Sequence, residues 1–123
     1  MKQVVNCPKL PPSLNSHAVK CGNMIFTSGQ NGRNPETGQM LDGAENQARQ
    51  ALENLKNLLE YMGSGLDEVL KITIFVKDIG DVSKINKVYY EVFKEQRPAR
   101  TCVEVSNLAP GFLLELEAIA AVR

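Results

Sequence analysis

The chain has 123 residues, 43% apolar and 23% charged, which fits one compact domain and excludes a disordered or fibrous chain. Fourteen Lys and Arg balance fourteen Asp and Glu, and the basic residues are scattered, which argues against a dedicated nucleic-acid binder. Three widely spaced cysteines (Cys7, Cys21, Cys102) and a single histidine, His17, exclude a disulfide framework and argue against a zinc site. The most apolar stretch, Phe112 to Val122, is broken by Glu115 and Glu117 and is too short to span a bilayer. No charged-plus-apolar leader pattern opens the chain. The expectation is a reduced, cytoplasmic protein with no membrane partner. Residues 1–123 carry no repeat, low-complexity tract or linker, so a single domain is expected.

Taken in chain order, Val4-Val5 predicts a short strand, after which Pro8, Pro11 and Pro12 enforce an irregular extended path. His17 to Cys21 and Met24 to Ser28 read as two strands, with Gly22-Asn23 as the hairpin turn between them. Asn34-Pro35-Glu36-Thr37-Gly38 reads as a loop. The three-and-four spacing of Ala48, Ala51, Leu52, Leu55, Leu58, Leu59 and Met62 predicts a helix over 44–62, ended by Gly63. Gln47, Arg49, Glu53, Lys56 and Glu60 fall on its expected wet side. Gly63-Ser64-Gly65 follows a helix instead of joining a strand to one, so it is no dinucleotide loop. Val69 to Val76 predicts a strand with Leu70, Ile72, Ile74 and Val76 on one face and Lys71, Thr73 and Phe75 on the other. A second helix is expected over 82–94, and two further strands over 101–105 and 113–122.

Two amphipathic helices can cover only one face of such a sheet. The other face is expected to mix Phe75, Ile119 and Ala121 with Arg100, Cys102, Glu115 and Glu117, and to be covered by further copies of the chain. Clefts between subunits are then natural ligand sites. Arg100 and Cys102, two apart on a strand, project to one side, as do Glu115 and Glu117 on the next strand. If those strands pair, one patch holds a guanidinium, a thiol and a carboxylate. An arginine fork suits a ligand carboxylate, and a glutamate in a partly dry cleft can position water or move a proton. The plainer reading is an Arg100–Glu salt bridge at a subunit contact, with Cys102 as a small buried apolar side chain.

Several segments also resemble one family in sequence. Gly22-Asn23-Met24-Ile25-Phe26-Thr27-Ser28-Gly29-Gln30, Gln47 to Lys56, Lys71 to Asp78, Arg97-Pro98-Ala99-Arg100-Thr101-Cys102-Val103-Glu104-Val105 and Glu115 to Ala120 are similar, in order, to motifs of the RidA/YjgF family. The resemblance spans about residues 17–123. It implies an α+β, chorismate-mutase-like (ferredoxin-like) mixed sheet with two helices on one face. It also implies a homotrimer with its sheets facing a central barrel and its sites in the subunit clefts. The implied activity is hydrolysis of reactive 2-enamine or 2-imine carboxylates, such as 2-aminoacrylate or 2-aminocrotonate, to 2-oxo acids and ammonia. Pyridoxal-phosphate dehydratases release such intermediates. No metal or cofactor is expected, because the substrate already tends to hydrolyse.

Residue by residue, the resemblance places Arg100 on the family's carboxylate-binding arginine and Cys102 on its site cysteine. Glu115 falls on the carboxylate that positions the attacking water. Ser28 and Gly29 fall on the Ser-Gly lining the pocket, and Asn86 on an asparagine of the second helix. Two positions depart from the pattern. Asn15 stands where the family has a pocket tyrosine, and Asn31-Gly32 stands where it has an apolar residue and Pro. Both make the expected pocket entrance more polar. They keep open the alternative of a non-catalytic metabolite-binding or regulatory protein using the same inter-subunit cleft. Some family members have been described as endoribonucleases or translation inhibitors, a reading the balanced charge disfavours.

Overall fold

Gly22 takes φ 61°, a left-handed conformation that closes the expected hairpin. Strands β2 (Ala18–Cys21) and β3 (Met24–Thr27) pair antiparallel across it, with Cys21 opposite Met24. The computed structural model, which describes residues 1–123, adds β1 (Lys2–Val5) beside β2, and β4 (Val69–Val76), β5 (Ala99–Glu104) and β6 (Leu114–Ala121) beyond β3. The six strands form one mixed sheet in the order β1-β2-β3-β6-β4-β5. Only β4 and β5 run parallel. A parallel neighbour requires a crossover, and helix α2 (Val82–Val92) supplies it.

Helices α1 (Ala44–Tyr61) and α2 pack side by side and cover one sheet face, as the two apolar stripes predict. Leu52, Leu55, Leu58 and Leu59 of α1 are buried against a floor that includes Ile72, Ile74, Val76, Leu114 and Leu116. Each such side chain contributes roughly 1.5–3 kcal/mol on removal from water. Helix α2 stops at Val92, short of the expected Lys94. Phe93 leaves the helical region at ψ 82° and turns into the core. Arg97 Nε donates to the Phe93 carbonyl at 2.8 Å, satisfying a carbonyl at the helix end.

Two side-chain assignments differ from the sequence pattern. Leu70 does not join the buried face of β4. The pairing steps from Val69–Ala120 to Lys71–Ile119, so Leu70 is the extra residue of a bulge. That one-residue slip buries Val69 and leaves Leu70 exposed. Gln47 is buried instead of solvated. Its Nε2 donates to the carbonyls of Leu41 and Gly111, and its Oε1 accepts from the N–H of Leu113. Fully paired in this way, it fastens the segment before α1 to the start of β6.

Gly32 packs directly on this anchor. A Cβ there would lie 2.5 Å from the Gln47 Cα, and helix backbone cannot yield as a side-chain tip can. Gly32→Ala is therefore expected to cost about 1–3 kcal/mol through overpacking, read as a lower urea midpoint at unchanged slope.

The face opposite the helices remains open. Phe26 and Val103 are 43% and 40% exposed on it, with Phe75 and Ile119 partly so. No helix is long and apolar enough to cross a membrane.

Candidate functional site

The structure corrects the expectation that Arg100, Cys102 and Glu115 share one patch within a chain. Strands β5 and β6 do not pair, because β4 lies between them. Arg100 stands opposite Ile72 and Cys102 opposite Ile74, so both project to the helix side. Glu115 stands opposite Phe75 and Glu117 opposite Thr73, on the open side. Arg100 and Cys102 therefore do not belong to the mixed open face. One chain holds the candidate residues as two separate groups, two candidate half-sites.

The first half-site surrounds Arg100. Its Nη2 donates to Asn86 Oδ1 at 2.6 Å, and its Cζ sits 4.5 Å from the centroid of the Tyr89 ring. Asn86 and Tyr89 lie three apart on α2, which brings both to the turn facing β5. Arg100 Nη1 is buried and has no hydrogen-bond acceptor. No carboxylate of the chain lies within ion-pair distance of the guanidinium. The Tyr89 hydroxyl is also buried without a partner. Burial raises its pKa above the ordinary tyrosine value, with the Arg100 charge opposing, so it remains a neutral O–H. Cys102 is a free, half-buried thiol packed against the core two residues further along β5.

The second half-site surrounds Glu115. Gln30 and Leu116 exchange backbone hydrogen bonds of 2.6 and 2.9 Å, which holds Gly29 beside the Glu115 side chain. Burial, and next the nearby Glu117 charge, raise the Glu115 pKa above the ordinary glutamate value. Ser28 Oγ donates to the Ser16 carbonyl at 2.7 Å. Ser28 and Gly29 line a mostly polar cavity of about 220 Å³, together with Gln30, Asn31, Arg33 and Asn54. Asn54 Nδ2 donates to the carbonyls of Asn31 and Arg33, so the Asn31-Gly32 segment is tied to α1. His17 accepts from the Cys7 N–H at Nδ1 and donates from Nε2 to the Pro11 carbonyl, clasping the proline segment over this end of the sheet. Asn15 is exposed, and its N–H donates to Oγ of Ser13, a residue of the cavity wall.

A Cβ on Gly29 would meet Glu115 Cδ at 2.7 Å. The Glu115 side chain can swing away where backbone could not. Gly29→Ala is thus expected to fold with a melting temperature within a few degrees of wild type while displacing the carboxylate. Loss of any Glu115-dependent activity by about tenfold or more is the expected readout.

Tyr89, Asn54 and Gln47 pack in or beside these candidate groups, where the sequence pattern assigns them elsewhere or leaves them unassigned. Gln47, Ala51, Asn54 and Leu58 repeat at three-and-four spacing, which is the signal that two amides sit in the buried stripe. For Tyr89 the signal is its place one turn after Asn86.

The chain is similar throughout to known proteins. The family model described as Endoribonuclease L-PSP matches residues 10–122. A RutC family protein of Pyrococcus horikoshii is 46% identical over 124 residues, covering 98% of each chain. The 2-iminobutanoate/2-iminopropanoate deaminase of Escherichia coli is 44% identical over 108 residues, covering 85% of this chain and 84% of that protein. Among solved structures, the YJGF gene product of E. coli superposes with a TM-score of 0.93 at 37% identity, covering 98% of this chain and 99% of that one. E. coli TdcF with bound serine superposes with a TM-score of 0.92 at 34% identity, covering 98% and 99%. On the sequence motifs, the fold and these relatives together, the chain belongs to the RidA/YjgF family.

Proposed function

We propose that the protein hydrolyses 2-imino carboxylates, and their enamine tautomers, to 2-oxo acids and ammonia. The observation that carries this reading is the half-buried Arg100 cation, which no carboxylate of the chain neutralises. A desolvated guanidinium without a counter-ion donates strongly to a ligand carboxylate. The deaminase named among the relatives supports the same substrate class.

The two half-sites complete one another between copies. The open face exposes apolar side chains that a homotrimer would bury, and β5 is an edge strand. Arg100, Asn86 and Cys102 of one copy then face Ser28, Gly29 and Glu115 of the next across a cleft. Arg100 holds the substrate carboxylate and fixes the orientation of C2. Solvent protonation of an enamine carbon gives the iminium. Glu115 holds a water and takes its proton as the water oxygen bonds to C2. Glu115 passes that proton to nitrogen, then takes the hydroxyl proton as the C=O bond forms and the C–N bond breaks; ammonia leaves, and the 2-oxo acid remains. Cys102 shapes the wall beside the carboxylate.

An L-amino-acid oxidase supplying imino acids, with semicarbazide trapping what survives, tests the reading. Wild-type protein is expected to reduce the trapped semicarbazone for at least one small imino acid. Heat protection by a 2-oxo acid with no change in trapping across the panel would replace turnover by the binding function.

A further inference from the structure

The partners that hold Arg100 are both uncharged. Asn86 Oδ1 accepts from Nη2 at 2.6 Å, the Tyr89 ring face lies 4.5 Å from Cζ, and no acidic side chain reaches the guanidinium. An aspartate in place of Asn86 would hold the same nitrogen more strongly, through a charge-assisted bond. It would also spend the arginine's charge on the protein. The ring offers attraction without neutralisation, because its quadrupole draws a cation and carries no net charge. The cost of this arrangement is visible in two buried polar atoms without partners, Arg100 Nη1 and the Tyr89 hydroxyl.

We infer that Tyr89 and Asn86 form a charge-neutral clamp that positions Arg100 while reserving its full positive charge for a ligand carboxylate. Tyr89 is thus a positioning residue acting through its ring, and its hydroxyl is dispensable. The inference rests on the proposed role of Arg100 as the carboxylate site.

Asn86→Asp is nearly isosteric and isolates the charge. The inference predicts a melting temperature equal to or above wild type, because an ion pair replaces a neutral bond. It also predicts affinity for 2-oxobutanoate weakened by about a hundredfold, measured by isothermal titration calorimetry, since the inserted carboxylate competes with the ligand for one cation. Tyr89→Leu removes the ring and is expected to weaken binding by about tenfold or more. Tyr89→Phe keeps the ring and is expected to bind within about twofold of wild type. In the hydrolysis assay these losses fall on KM more than on kcat at saturating substrate.

A merely structural Asn86 would tolerate aspartate with affinity unchanged, and that result overturns the inference. Weak binding by Tyr89→Phe would overturn the part assigned to the ring. Wild type that binds 2-oxobutanoate and loses it on Asn86→Asp supports the clamp even if no imine is hydrolysed, in which case only the proposed reaction falls. Wild type that binds no small carboxylate overturns both.

Discussion

Arg100→Ala is expected to lower kcat/KM for imine hydrolysis by about 10²–10³-fold and to leave the melting temperature within a few degrees of wild type. One charge-assisted pair is worth about 1.5–3 kcal/mol, or roughly ten- to a hundredfold. The rest comes from orientation, since a substrate free to rotate presents C2 to the water less often. Stability should change little, because Arg100 has no ion pair to lose and one of its buried nitrogens already lacks an acceptor. Arg100→Lys should fail nearly as badly, for an ammonium cannot grip a carboxylate with two parallel bonds, and its charge would no longer sit where the Arg100 Cζ does, 4.5 Å from the Tyr89 ring centroid. Full turnover by Arg100→Ala would contradict the carboxylate clamp.

Glu115→Gln carries the second large effect, a fall in kcat of about 10²–10⁴-fold with substrate affinity largely retained. It also makes a pH prediction. A carboxylate that accepts a proton works only when ionised, and burial followed by the Glu117 charge raises the Glu115 pKa. The acid limb of the activity profile should therefore sit above the ordinary glutamate range. Glu117→Gln should move it down towards that range, because one of the two causes is removed. The stability linkage has the opposite sense to that of a salt-bridged acid. A raised native pKa favours the protonated fold, so this contribution is fully present below the unfolded glutamate value. It is lost as pH rises through the native value of Glu115. Glu115→Gln should abolish that dependence in denaturation curves taken across the window.

Most of the fold was legible because its elements are amphipathic with clear periods. The α1 stripe, the α2 stripe and the alternation of Leu114, Leu116, Ala118 and Ala120 each specify a buried face locally. Leu70 was not legible, since a bulge is set by pairing between strands and leaves no mark in the alternation itself. Gln47 was misplaced because polarity usually means solvent, whereas here three hydrogen bonds compensate its burial. The identity of the candidate site residues came from the motifs around Ser28, Arg100 and Glu115, but their grouping did not. Two-residue spacing puts Arg100 with Cys102 and Glu115 with Glu117. Strand order decides that β4 separates the pairs, and register decides that they face opposite sides of the sheet. The clamp around Arg100 depends on a crossover that brings α2 over β5, a tertiary fact outside local pattern.

The division of Arg100 and Glu115 between copies is tested most directly by complementation. Arg100→Ala and Glu115→Gln chains, each inactive alone, would be co-expressed with different tags and the mixed oligomers purified through both. A cleft built from two copies needs an intact Arg100 from one chain and an intact Glu115 from its neighbour. In a homotrimer, every mixed assembly then holds one intact site in three, about a third of the wild-type activity. Mixed oligomers as inactive as either parent would contradict the shared site and place the two residues' functions within one chain.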